Sequence, residues 1–198
     1  MYRILAIGAH PDDVEIGCAG LLQRASDTHI VILTGGGQGG ILNRRINEAK
    51  QAAKLLNADV SFGHQPDTQI DHRESIVFIE SAIDQFQPDL ILTMTKNDIH
   101  QDHRVAYTAT RSAARNTTCT ILSYTTPSSA ENFHPTWFVP LTERDMNLKL
   151  AAIACHSSQA HRLYLSKEYI IGMARYWAMV TRSNYNYVEQ IYSIKRKS

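Results

Sequence analysis

Residues 2–15 read YRILAIGAHPDDVE, and the fold is decided by where this apolar run stops. Ile4 to Ala9 is an unbroken apolar stretch of strand length that ends in a histidine, a proline and two adjacent aspartates. A continuous apolar run of that length fits a strand buried on both faces, as in a parallel sheet. Burying an acidic cluster at its end is costly unless something pairs with it. The stretch therefore delivers HPDD either to an exposed turn, with Asp13 capping the next helix, or to a positive charge.

Further short apolar runs follow it in the chain: HIVILT, ADVSF, DLILTMT and TILSY. Between them lie EIGCAGLLQRA, NRRINEAKQAAKLLN, RESIVFIESAIDQF and HRVAYTATRSAAR, each with apolar residues three and four apart, as in amphipathic helices. Strand alternating with helix predicts right-handed crossovers and a Rossmann-like α/β fold, a mostly parallel sheet with helices on both faces. After Tyr124 the regularity gives way to TTPSSAENFHPTWFVPL, a loop or hairpin, followed by helices around Glu143–Cys155 and Lys167–Val180. This tail reads as a C-terminal cap or extra layer. The whole chain, residues 1–198, is expected to be a single domain.

Composition narrows the class. A net charge of +1 gives no field for polyanions, so nucleic acid is not an expected partner. Three widely spaced cysteines imply neither a disulfide framework nor a CxxC zinc motif, which suits a cytoplasmic protein. The N-terminal apolar run is too short for a signal peptide or a membrane span. Tyr185, Tyr187 and Tyr192 in the tail are expected to be exposed, where they could support a homo-oligomer.

In a sheet ordered 3-2-1-4-5 the ligand site lies outside the ends of strands 1 and 4, where strand order reverses. Those two loops are AHPDD and KNDIHQDH, the densest in histidine and aspartate. His10 and Asp13 from the first and His103 from the second could hold a divalent metal, because two histidines and a carboxylate form a common catalytic zinc set with a position left for water. Pro11 biases His10 toward an extended conformation, aiming its ring out of the strand end. Asp12, beside the ligands, is then the natural general base for the attacking water. His100 is assigned as acid or oxyanion stabiliser, kept cationic by Asp102. Zinc is the default ion, and the same set suits Fe2+ or another divalent metal.

With these residues in view, the sequence resembles the PIG-L or LmbE-like deacetylases. The resemblance rests on AHPDDVE at positions 9–15 and on Asp98, His100, Asp102 and His103 as a DxHxDH-like element. It implies His10, Asp13 and His103 as metal ligands, Asp12 as general base and His100 with Asp102 as a charge-relay pair. It further implies removal of an N-acetyl group from an N-acetylglucosamine-type sugar or glycoconjugate, releasing acetate and a free amine; an amidase acting on thiol-sugar conjugates is the nearest alternative. VILTGGGQGG and RINEAKQAAKLL also resemble family segments, which makes Arg45 a substrate-binding candidate; otherwise it pairs with a neighbouring acid on the helix surface. Asp67 and the Ser157–Ser158–Gln159 stretch are softer matches. Gln101 and Asn57 depart from the pattern, where the family usually has proline and glycine.

One rival belongs to another class. Gly35, Gly37 and Gly40 fit G-x-G-x-x-G after a strand, the pattern of a dinucleotide-dependent oxidoreductase. The match is weak, since it follows the second strand and a run of glycines satisfies many patterns.

Overall fold

In the computed structural model, which describes residues 2–129 and 133–195, strand and helix alternate as the periodicity predicts. The order is β1 (Tyr2–Gly8), α1 (Asp13–Leu22), β2 (Ala25–Thr34), α2 (Leu42–Leu55), β3 (Asp59–Gln65), α3 (His72–Phe86), β4 (Leu90–Thr93), α4 (Gln101–Ala113) and β5 (Thr120–Tyr124). These five strands pair in parallel in the order β3-β2-β1-β4-β5. The chain winds outward through β2 and β3, then returns to β4 beside β1. Right-handed crossovers therefore place α1 and α2 on one face and α3 and α4 on the other. Ile4–Ile7 of β1, Ile30–Leu33 of β2 and Ile91–Leu92 of β4 are buried, which is why these strands read as continuous apolar runs.

The tail departs from expectation. Instead of forming only a cap, it adds β6 (Trp137–Leu141) and β7 (Tyr187–Lys195) to the same sheet, with β7 antiparallel between β5 and β6. The two expected helices are present as α5 (Glu143–Ala154), which packs against α1 and α2, and α6 (Lys167–Val180), which packs on β7. Part of the expected loop, residues 130–132, lies outside the described residues. Of the three tail tyrosines, Tyr185 and Tyr192 are exposed but Tyr187 is buried in β7, so it is not available to a partner. Among the described residues, no helix is long and apolar enough to cross a membrane.

Both departures from the family pattern have local explanations. Asn57 stands just past the end of α2 with φ of 53°, a left-handed conformation that asparagine tolerates nearly as readily as glycine. Gln101 is the first residue of α4, a position where proline is favoured but not required.

Candidate metal centre

At the ends of β1 and β4 the two predicted loops face each other. Asp12 precedes α1 with φ of 100°, a conformation that only a small fraction of non-glycine residues adopt. It turns the chain so that Asp13 opens the helix and its carboxylate accepts the backbone N–H of His10 at 2.7 Å. His100 is the N-cap of α4, and His103 lies one turn further on, facing Asp13.

Three donors converge. His10 Nδ1 lies 3.3 Å from His103 Nε2, His10 Nδ1 lies 3.6 Å from Asp13 Oδ2, and His103 Nε2 lies 3.4 Å from Asp13 Oδ1. Bonds of about 2.0–2.1 Å around a tetrahedral zinc give ligand–ligand edges of roughly 3.3–3.4 Å. Two of the three edges match that spacing and the third is longer, and the edges to His10 and to His103 run to different oxygens of Asp13, so the set suits a small divalent cation in the chemistry of its donors. His10, His100 and His103 also offer donors within 4.8 Å of one another, as do His10, Asp67 and Asp102.

The outer partners fix the rings. His103 Nδ1 is 2.9 Å from Asp98 Oδ2 and 3.1 Å from Ser128 Oγ, which leaves Nε2 for the site. His10 Nε2 is 3.0 Å from Asp102 and 3.1 Å from Asp67, which leaves Nδ1. A carboxylate behind each histidine is the usual arrangement around a metal, since it fixes the tautomer and strengthens the donor. The charge balance points the same way. Asp12, Asp13, Asp67, Asp98 and Asp102 gather around Arg45 and two histidines, almost all of them buried. Burial alone would depress both histidines, yet Asp13 and Asp98 hold His103 up to about 9, and Asp102, Asp13 and Asp67 raise His10 well above its ordinary value. Burial likewise opposes ionisation of Asp67, but the bond from His10 outweighs it and brings this carboxyl down to about 2. A site that draws protons this strongly is one that a divalent cation can neutralise instead.

Asp12 behaves differently. Burial, reinforced by the neighbouring Asp13 charge, raises its carboxyl to about 6 against the opposing pull of Arg45, His156 and His10. Such a value suits a group that must exchange a proton near neutrality.

Two sequence expectations need correction. Asp102 does not hold His100 cationic: its carboxylate binds His10 Nε2 and the backbone N–H of Thr68, while its own N–H donates to His100 Nδ1 at 3.2 Å. Burial, with the charges of His10 and His103, pushes His100 below its ordinary value. A ring that accepts at Nδ1 and is held neutral presents an Nε2–H donor. Arg45, the substrate-binding candidate, lines the cavity of this centre, and the alternative that places it on the helix surface beside an acid does not hold. Arg45 is buried, donates to the carbonyls of Gly36 and Pro11 at 2.8 Å each, and lies 3.4 Å from Asp12. Gly36, with φ of 70°, is needed there because a Cβ would fall 2.1 Å from the guanidinium. Gly36 and Gly39, which stand between the glycines of the G-x-G-x-x-G pattern, thus leave the room that Arg45 occupies. Glu48 on the same helix accepts from Ser157 Oγ and from the N–H and Oγ of Ser158, tying the α5–α6 connection to α2.

The centre opens into a cavity of about 330 Å³, whose walls include Gln38, Gln159, Arg162 and Tyr164. Sequence reading did not single out Gln38, Arg162 or Tyr164, which carry no spacing pattern. It also left His156 as an ordinary histidine, whereas this ring is buried 3.3 Å from Glu15 and acts electrostatically on Asp12.

Fold and site together define an α/β protein with a histidine–carboxylate centre at its topological switch point. The GlcNAc-PI de-N-acetylase (PIG-L) family model matches residues 5–114, more than half of the chain. An uncharacterized deacetylase of Escherichia coli (strain K12), YaiS, is 37% identical over 172 residues, covering 78% of this chain and 90% of that protein. The chain belongs to the PIG-L family of deacetylases. Among solved structures, the N,N'-diacetylchitobiose deacetylase of Pyrococcus horikoshii superposes with a TM-score of 0.82 at 21% identity, over 97% of this chain and 83% of that one. GalB, the 4-carboxy-2-hydroxymuconate hydratase of Pseudomonas putida KT2440, superposes with a TM-score of 0.85 at 20% identity, over 100% and 98%. A deacetylase and a hydratase on one scaffold mean that the fold alone does not decide the chemistry.

Proposed function

We propose that this protein is a metal-dependent hydrolase that removes the N-acetyl group of an N-acetylglucosamine-type sugar or glycoconjugate, acting in the cytoplasm, with zinc as the default ion. The observation that carries the reading is the convergence of His10, Asp13 and His103 within 3.3–3.6 Å of one another, each histidine backed by a carboxylate, with the Asp12 carboxyl beside them. Family membership supports deacetylation, and the amino-sugar substrate of a fold neighbour supports the substrate class. A cation bound by these three residues would polarise the acetamide carbonyl and lower the pKa of water. Asp12 takes the proton of the attacking water and returns it to the departing nitrogen, which leaves as the amine. His100, as a neutral Nε2–H donor, hydrogen-bonds the oxygen on which negative charge develops. Asp67, Gln38 and Arg162 line the cavity with groups suited to sugar hydroxyls, and Arg45 holds Asp12 and the two loops in register.

The test is acetate release from a panel of N-acetylglucosamine conjugates by wild type and Asp12→Asn. Loss of a general base should lower kcat by about a hundredfold or more. Equal activity of the two proteins would remove Asp12 from the mechanism, and no hydrolysis of any conjugate would reject the substrate class.

A further inference from the structure

A second cavity, of about 240 Å³, adjoins the metal centre, and Ile16, Thr126 and Pro127 line both. Its apolar wall is formed by Phe133, Leu141 and four residues of α6, Ile170, Met173, Ala174 and Trp177. Lys149 and Glu189 reach it, but they are satisfied by each other at 2.6 Å and by the backbone of α1, so they present no free charge. Apart from Ile16 and Gly17, every residue lining this cavity lies beyond residue 114, where the family match ends.

Sheet order sets its position. The polar wall of the centre comes from the loops after β2 and β3, with Gln159 joined to the former through the carbonyl of Gly39. The apolar cavity lies at the other end, beyond β5 and under α6 and β7. The proposed ligands, on the β1 and β4 loops, lie between. An amide whose sugar half occupies the polar side therefore directs its acyl half toward the apolar side.

We infer that the second cavity is an acyl subsite, and that the enzyme hydrolyses N-acyl amino sugars with chains several carbons longer than acetyl. This rests on the hydrolytic reading above. The water oxygen bonds to the acyl carbon, the C–N bond breaks, the nitrogen leaves protonated as the amine, and the chain is released as a carboxylate.

The experiment compares N-acetyl-, N-butyryl-, N-hexanoyl- and N-octanoylglucosamine with the zinc-loaded full chain, following amine release. A buried methylene is worth roughly fourfold in binding, so kcat/KM for the hexanoyl substrate should exceed that for the acetyl substrate at least about tenfold. Ala174→Trp, which fills the cavity, should lower the hexanoyl-to-acetyl ratio by about tenfold or more. A binding readout is independent of turnover and of that variant's folding: in metal-free Trp137→Phe protein, hexanoate but not acetate should change the fluorescence of Trp177. Rates that fall steadily from acetyl onward would overturn the subsite and leave deacetylation standing. A gain seen only with alkyl glycosides of N-acetylglucosamine would overturn the assignment of the cavity to the acyl side. If no member is hydrolysed, the hydrolytic reading fails, and a silent hexanoate titration would then dispose of the subsite as well.

Discussion

Asp12 combines a φ of 100°, burial and a carboxyl raised to about 6, so backbone strain and electrostatics meet at the group proposed as base. Asparagine tolerates positive φ better than most residues, which makes Asp12→Asn a variant that should fold while losing the proton-transfer function. The carboxylates behind the histidines carry a separate prediction. Asp98→Asn and Asp102→Asn should each weaken zinc affinity by about 10–100-fold in a competition titration, since they back His103 Nδ1 and His10 Nε2. Unchanged affinity in both would mean that neither carboxylate orients a ligand. HPDD and HQDH were legible because each packs several histidines and aspartates into one short loop at a strand end, and the structure brings the two loops together. The partner of Asp102 was not, because it depends on how the start of α4 meets the end of β1 and the loop at Thr68, with His10 lying 92 positions away in sequence. Gln38 reaches the cavity from the β2–α2 connection and Arg162 and Tyr164 from the α5–α6 connection, and they leave no pattern to read.

Among the elements, α5 shows how local chemistry sets a boundary. Thr142 accepts the N–H of Asp145, and Asp145 accepts the N–H of Thr142, a reciprocal cap joined by Arg24 at 2.8 Å. Thr142→Ala should cost about 1 kcal/mol in urea unfolding at neutral pH. Burial opposes ionisation of Asp145, yet the Thr142 N–H and Arg24 outweigh it and hold the carboxyl below its ordinary value. A depressed folded pKa means that the stabilisation is present above the unfolded value of about 3.9 and is lost as pH falls through the folded one. The deficit of Asp145→Asn should therefore shrink below about pH 4; a deficit constant with pH would show that ionisation of Asp145 does not contribute. The strands of the parallel half were legible because burial on both faces makes them wholly apolar. β7 was not, because Glu189 and Gln190 interrupt its apolar pattern, although Glu189 is buried there.

For the molecule as a whole, the reason for that buried glutamate is also what ties the tail to the rest. Lys149 of α5 donates to Glu189 of β7 and to the carbonyl of Ile16, while Glu189 accepts the N–H groups of Gly20 and Leu21 in α1. Removing one partner of a buried pair leaves an uncompensated charge, so Lys149→Met should destabilise the fold by about 3–5 kcal/mol; a loss below about 1 kcal/mol in denaturant unfolding would show that Glu189 needs no cation. The same joint lines the cavity beside the candidate centre, so the sheet extension that the sequence concealed also shapes the space next to it. Hydrolysis at this centre, as proposed, needs a bound metal. The most direct test is acetate release from N-acetylglucosamine conjugates by the protein as prepared, after chelation, and after stoichiometric zinc is restored. Activity should vanish with the metal and return with about one equivalent; hydrolysis undiminished by thorough chelation would show that no metal takes part.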